Sequence, residues 1–194
     1  YREVLDVLDM QLVQYGSALI QRRQTFAEEL GEIVHRIHSQ LSGGQEEMEL
    51  KYEPNVTVDA FAQMLFANRE RDMRLKTTAT GPHRDDISFV VNGVDIRKFG
   101  SQGQQRTAAL SLKLSEIELV KRLIGDTPVL LLDDVLSELD SGRQNYLLNS
   151  IENIQTLITC TGLDEFVNHR FSINRIYKVT DGSVTVENKQ EADR

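Results

Sequence analysis

Phe99-Gly100-Ser101-Gln102-Gly103-Gln104-Gln105-Arg106 opens the stretch on which the fold turns, and Val129-Leu130-Leu131-Leu132-Asp133-Asp134-Val135-Leu136-Ser137-Glu138-Leu139-Asp140 closes it. Ser101 stands three residues before Gln104, the spacing of a capping box at a helix start. A helix is therefore expected over 102–124, with Ala108, Leu110, Leu114, Ile117 and Val120 to Ile124 as its buried side. The apolar run from Val129 to Leu132 asks for burial on both faces, as in a mixed or parallel sheet between helices. It predicts a strand that delivers Asp133 and Asp134 to the sheet edge, and an α/β fold.

Each half of this stretch admits two readings. Open α/β sheets bind ligands at the C-terminal ends of their strands. There one aspartate can hold Mg²⁺, directly or through water, because Mg²⁺ takes hard oxygen ligands. Strand alternation turns the neighbour the other way, where it could orient or deprotonate an attacking water. The same residues would also suit a buried strand that ends in a solvated acidic turn. At the other end, a helix N-terminus offers free N–H groups and a positive dipole end to a phosphate. Gly100 and Gly103 let backbone approach a ligand closely. A well-capped helix with no ligand would look the same.

Working outward, the 194 residues are 40% hydrophobic and 27% charged, enough for a globular core. The formal net charge of −8 argues against a uniformly basic nucleic-acid module and leaves room for a local basic patch. Cys160 is the single cysteine, which excludes an internal disulfide framework and suits a reducing, cytoplasmic setting. No apolar run approaches the roughly 18 residues of a membrane span, and no signal-peptide pattern appears, so no membrane partner is expected. The chain opens on Tyr1, and a further N-terminal segment is expected before it.

Arg2 to Leu41 is helical by period, through Val4, Leu8, Leu12, Tyr15 and Leu19, then Phe26, Leu30, Ile33, Val34, Ile37 and Leu41. One helix of that length would run about 60 Å. A break near Gly16-Ser17 is expected for a compact domain; the alternative is a projecting arm or a coiled-coil-like hairpin. His35 and His38 share a helical face, but no further ligand set converges on them, so they read as ordinary histidines. Ser42-Gly43-Gly44 stops the helix. A strand at Leu50 to Tyr52 and a helix from Val58 to about Thr77 follow, the latter with Asp59 as N-cap. Arg69, Arg71, Arg74 and Lys76 make its second half basic. They form either a solvated helix face or a contact with the DNA backbone.

Thr80 to Asp86 is a loop. Asn92-Gly93 and Asp181-Gly182 each sit between β-rich runs and predict two hairpins. Between them lie a helix over 142–151 and a second buried strand from Thr156 to Thr161, and after Glu187 comes a polar, frayed tail. A composition shift near Thr80 divides a helical lobe, 1–79, from an α/β lobe, 80–194.

The order Ser-Gln-Gly-Gln-Gln-Arg, helix, apolar strand, Asp-Asp, Ser-Glu-Leu-Asp resembles the C-terminal half of an ABC-type ATPase head, a P-loop NTPase fold with a helical lobe. With Thr80-Gly81-Pro82-His83-Arg84-Asp85-Asp86 added, it resembles the RecF family of bacterial recombination mediators over nearly the whole chain. The resemblance implies an ATP-dependent homodimer that binds DNA at single-strand gaps or single-strand/double-strand junctions. It implies partnership with RecR and RecO in loading RecA. Ser101, Gln102, Gly103 and Gln104 would be the signature motif, closing over ATP held by the other subunit. Asp133 would support Mg²⁺, Asp134 would stand where transporters carry a catalytic glutamate, and Ser137, Glu138 and Asp140 would form the D-loop.

Three features depart from that pattern. Leu41-Ser42-Gly43-Gly44-Gln45 matches the transporter signature letter for letter, yet it ends a helix and precedes Glu46, Glu47 and Glu49. A negative dipole end followed by carboxylates repels phosphate, so it reads as a helix stop. The chain also has no Gly-Lys pair, hence no P-loop, and is expected to be inactive alone. The strand at Leu157 to Thr161 ends without a histidine, so no switch residue is assigned there. The runner-up is an SMC- or Rad50-like head, favoured by the long first helix. A third reading is a non-catalytic module that binds RecR or DNA through the helical lobe.

Overall fold

A computed structural model of the chain describes residues 2–161 and 173–187. The expected frayed tail, 188–194, lies outside them. The chain divides into two compact units, Tyr1–Pro128 and Val129–Arg194.

The first unit is built on α1, Arg2–Leu41, a single helix of 40 residues. The break expected at Gly16-Ser17 is absent. Gly16 is buried against the helix α2, Val58–Leu75, and a Cβ there would lie 2.5 Å from Phe61 Cε1. The glycine serves a close helix approach, not a bend. The apolar period of α1 also divides along its length. Ile20, Ala27, Leu30, Ile33, Val34, Ile37 and Leu41 are buried, whereas Val4, Leu8, Tyr15 and Leu19 are exposed.

Against α1 packs an antiparallel sheet in the order β1-β2-β3, formed by Met48–Glu53, Asp86–Val91 and Val94–Asp95. The β1–β2 register runs from Met48 opposite Val91 to Glu53 opposite Asp86. Asn92 and Gly93, at φ 49° and 81°, close the predicted hairpin. This pairing spans the boundary expected at 79/80, which therefore falls inside the first unit. Thr57 takes the N-cap position of α2, without a side-chain capping hydrogen bond. Asp59, expected as the cap, lies within the first turn, where a carboxylate still meets the positive dipole end. A short helix α3, Ile96–Phe99, leads into α4, Gln102–Ile124, with the bounds read from the sequence.

In the second unit β4, Leu130–Asp133, pairs in parallel with β5, Thr156–Thr159, through the helix α5, Ser141–Ser150. Leu136, Leu147, Leu148 and Ile151 are buried. Burial of β4 on both faces is not observed. Leu132 is buried, but Leu131 is 72% exposed and Leu157 beside it 55%. Among the described residues this sheet has two strands, and so small a sheet is marginal on its own. The second hairpin, β6 (Ile176–Thr180) and β7 (Ser183–Glu187), turns at Asp181 and Gly182, at φ 48° and 78°.

Candidate nucleotide site

The turn before α4 is held by local chemistry. Asp95 caps α3, accepting from the Arg97 N–H at 3.0 Å. A Cβ at Gly100 would lie 2.6 Å from the Ile96 carbonyl, so only glycine fits there. Ser101 then caps α4. Its Oγ accepts from the Gln104 N–H at 3.2 Å, and its own N–H donates to Gln104 Oε1 at 3.1 Å. The capping box is the one predicted. A helix start leaves its first amides without intrahelical partners. Ser101 takes that of Gln104, which leaves those of Gln102 and Gly103 on an exposed turn. A Cβ at Gly103 would meet nothing closer than Ser101 Oγ at 3.9 Å. The fold itself does not demand glycine at 103; a ligand lying against the backbone would.

The transporter-like segment closes α1, as expected. Gly43 and Gly44 adopt φ 63° and 76°, and the Gly44 N–H donates to the Ser39 carbonyl at 2.7 Å. The residue after it, Glu46, reaches the Ser101 turn and accepts from Gln104 Nε2 at 2.9 Å. His35 faces the Met48 carbonyl, and His38 is fully buried between Ser111 and Glu46. Among the described residues, no group of three or more histidine, cysteine or acidic side chains could hold a metal.

At the end of β4, Asp133 Oδ1 accepts from the Thr159 hydroxyl. Strand alternation does not decide where Asp134 points, because the strand ends at Asp133 and Asp134 takes a left-handed φ of 51°. Its N–H donates to the Thr159 carbonyl at 3.2 Å and to Thr159 Oγ1 at 3.1 Å. Both carboxylates are exposed. Thr159 thus orients the whole acidic end, and sequence reasoning missed it. Its only sequence signal is its place at the end of the paired strand. One exposed carboxylate at a strand end suits Mg²⁺ that is otherwise ligated by phosphate and water.

Downstream, Ser137 Oγ donates to the Asp134 carbonyl at 2.9 Å within a 3₁₀ turn, Leu136–Glu138. The Glu138 side chain lies outside the described residues. Asp140 caps α5, accepting from the Arg143 N–H at 3.0 Å. That bond, with burial opposing it, holds the Asp140 carboxyl below the usual aspartate range.

The basic run does not form one face. Arg69 turns to α1, pairs with Asp6 and Asp9, and lies 5.4 Å from the centre of the Phe66 ring. Arg71, Arg74 and Lys76 are exposed. The Thr80 to Asp86 loop, assigned no role from sequence, ties the first unit together. Its Asp85, with a side chain only 3% exposed, accepts from Arg23 Nη1 at 2.9 Å, from the Asn55 N–H at 2.9 Å and from the Tyr52 hydroxyl.

No protein-family model matches the chain. The DNA replication and repair protein RecF of Lachnospira eligens is 59% identical over 96% of the chain, which covers 51% of that protein. A solved structure of the recombination mediator protein RecF with ATP, of the RecFOR pathway, superposes with a TM-score of 0.83 at 33% identity, over 96% of this chain and 52% of that one. An SMC ATPase structure superposes at 0.54 with 13% identity, covering 90% of this chain and 92% of its own, and speaks for the fold alone. The fold is that of an ABC-type ATPase head. Within that class the chain is similar to RecF along nearly its whole length, consistent with the C-terminal portion of such a protein. It spans about half the length of the curated relatives it matches. Among the described residues no helix is long and apolar enough to cross a membrane.

Proposed function

We propose that this chain is the signature-bearing half of a RecF-type ATPase, in which ATP held by the P-loop half of one subunit is enclosed by the Ser101 turn of the other. The observation that carries this reading is the capped start of α4, with the Gln102 and Gly103 amides exposed beside a glycine that packing does not require. Those amides and the Ser101 hydroxyl would bind the γ-phosphate. Asp133 would hold Mg²⁺, which would offset phosphate charge. Asp134 would position or deprotonate the water, with its backbone fixed by Thr159 and Ser137. Ser137, Glu138 and Asp140 would act as the D-loop. Closing two such sites makes an ATP-dependent homodimer. In the whole protein, this dimer would bind DNA at single-strand gaps and act with RecR and RecO to promote RecA loading. Arg71, Arg74 and Lys76 are the candidates for phosphate-backbone contact. Arg69, already engaged with Asp6 and Asp9, is the weakest of the four.

The test uses a full-length RecF carrying this segment. Ser101→Arg should abolish ATP-driven dimers in light scattering, because a bulky side chain fills the turn. Asp134→Asn should keep the dimers and slow phosphate release by about a hundredfold or more, the range for loss of an acid–base group. Dimers that survive Ser101→Arg would remove the trans assignment, and normal turnover in Asp134→Asn would remove the role of Asp134.

A further inference from the structure

We infer that Glu46 and the buried His38 are positioning residues for the Ser101 turn, an inference that rests on reading that turn as the nucleotide contact. The observation is a continuous hydrogen-bonded path from the interior to the capping box. His38 has no exposed surface. Its Nδ1 lies 2.9 Å from Ser111 Oγ on α4, and its Nε2 lies 3.1 Å from Glu46 Oε2. The second oxygen of Glu46 accepts from Gln104 Nε2 at 2.9 Å. Gln104 Oε1 is in turn occupied by the Ser101 N–H at 3.1 Å.

The donor and acceptor inventory makes the part of this path from Glu46 to Ser101 directional. An ionised carboxylate only accepts, so His38 Nε2 supplies the proton of its contact with Glu46. The Gln104 amide must present oxygen to the Ser101 N–H and therefore nitrogen to Glu46. Glu46 thus selects one of the two flips of that amide, the one that completes the capping box. Ser42 sets Glu46 in place by accepting from the Glu46 N–H at 3.2 Å. The Leu41 to Gln45 segment, which cannot be the phosphate site, acts on that site at second hand. Ser111, His38 and Glu46 also line up like a hydrolase triad. Ser111 is fully buried, however, and donates to the Thr107 carbonyl at 2.7 Å, so no substrate reaches its oxygen. The end of the path that meets solvent is the Ser101 turn.

The experiment measures the ATP concentration at half-maximal dimerisation of a full-length RecF carrying this segment. Glu46→Ala should raise that midpoint about tenfold, the loss of roughly one charge-assisted hydrogen bond. Nucleotide binding by the monomer should not change. Glu46→Gln retains an acceptor for Gln104, its amide nitrogen donating to His38 Nε2 once the imidazole carries its proton on Nδ1, and should restore the midpoint to near its original value. Gln104→Ala should raise the midpoint likewise, and the double variant Glu46→Ala with Gln104→Ala should be no worse than Gln104→Ala alone. Additive effects, or an Ala variant that melts earlier with an unmoved midpoint, would overturn the inference. So would a Glu46→Gln midpoint as poor as that of the Ala variant. If Ser101→Arg keeps its dimers, the reading of the turn itself has failed; if it loses them while Glu46→Ala behaves normally, only the positioning role has.

Discussion

Asp85 gathers three donors from three places in the chain: Arg23 of α1, Tyr52 of β1 and the backbone of Asn55. A carboxylate with so little exposed surface is tolerated because both of its oxygens accept hydrogen bonds. The arrangement marks Tyr52 in turn. Burial first, and then the adjacent Asp85 carboxylate, push its phenol up to about 12 from 10.0. The folded value lies above the unfolded one, so the neutral phenol's contribution to stability is complete below pH 10.0 and is lost as pH rises toward about 12. Phenolate absorbance followed through that window should show a late component that disappears in Tyr52→Phe. A late component that persists in the variant would rule out Tyr52 as its source. The same residue scale explains Arg69. Two aspartates of α1 use its guanidinium, and with the Asp9 hydrogen bond foremost they hold its pKa above the usual arginine value. It is a strut between helices, which weakens it as a proposed DNA contact.

The continuity of α1 is an element-scale result with a sign that can be tested. Alanine is the better helix former by about 1 kcal/mol, so Gly16→Ala in a free-standing helix should stabilise. Here the added Cβ would meet the Phe61 ring at 2.5 Å, and overpacking of that kind costs about 1–3 kcal/mol. We expect net destabilisation in urea unfolding of the chain; a Gly16→Ala variant more stable than the parent would show that α2 yields freely. This element also separates what was legible from what was not. α4 was read with its true bounds because its start is a local code, Ser101 with Gln104, and its end is Gly125 in the left-handed region. Both hairpins were legible for the same reason, in Asn92-Gly93 and Asp181-Gly182. Gly16 was misread because its partner, Phe61, is remote in sequence and a periodic pattern carries no record of it. The acidic end of β4 was legible as Asp133 and Asp134, yet the residue that holds both, Thr159, is joined to them only by strand pairing. Glu46 escaped for the same cause: nothing in its neighbourhood points to Gln104.

On the scale of the whole molecule, the two units differ in how completely they bury their sheets. In the first, β1 and β2 pair over six positions and lie against α1, with Met48 and Val91 almost fully buried. In the second, β4 and β5 make a parallel pair four residues long, with Val129, Leu131 and Leu157 more than half exposed. Parallel sheets are ordinarily covered on both faces, and two strands alone are marginal in water. The chain spans about half the length of its curated relatives, so in the proposed whole protein the strands and helices of the other half are the natural cover for this sheet. The carboxylates Asp133 and Asp134 would then be held at their edge by that cover, and the chain alone would hold them loosely. Hydrogen exchange measures this directly. In the 194-residue chain, amides of β4 and β5 should exchange at least about tenfold faster than those of β1 and β2, because local opening follows buried apolar contact. In a full-length RecF carrying the segment, the β4 and β5 amides should slow to the rate of the first sheet. Equal protection of both sheets in the isolated chain would mean that the acidic edge is formed without the other half, and the dependence of the site on a second set of strands would have to be abandoned.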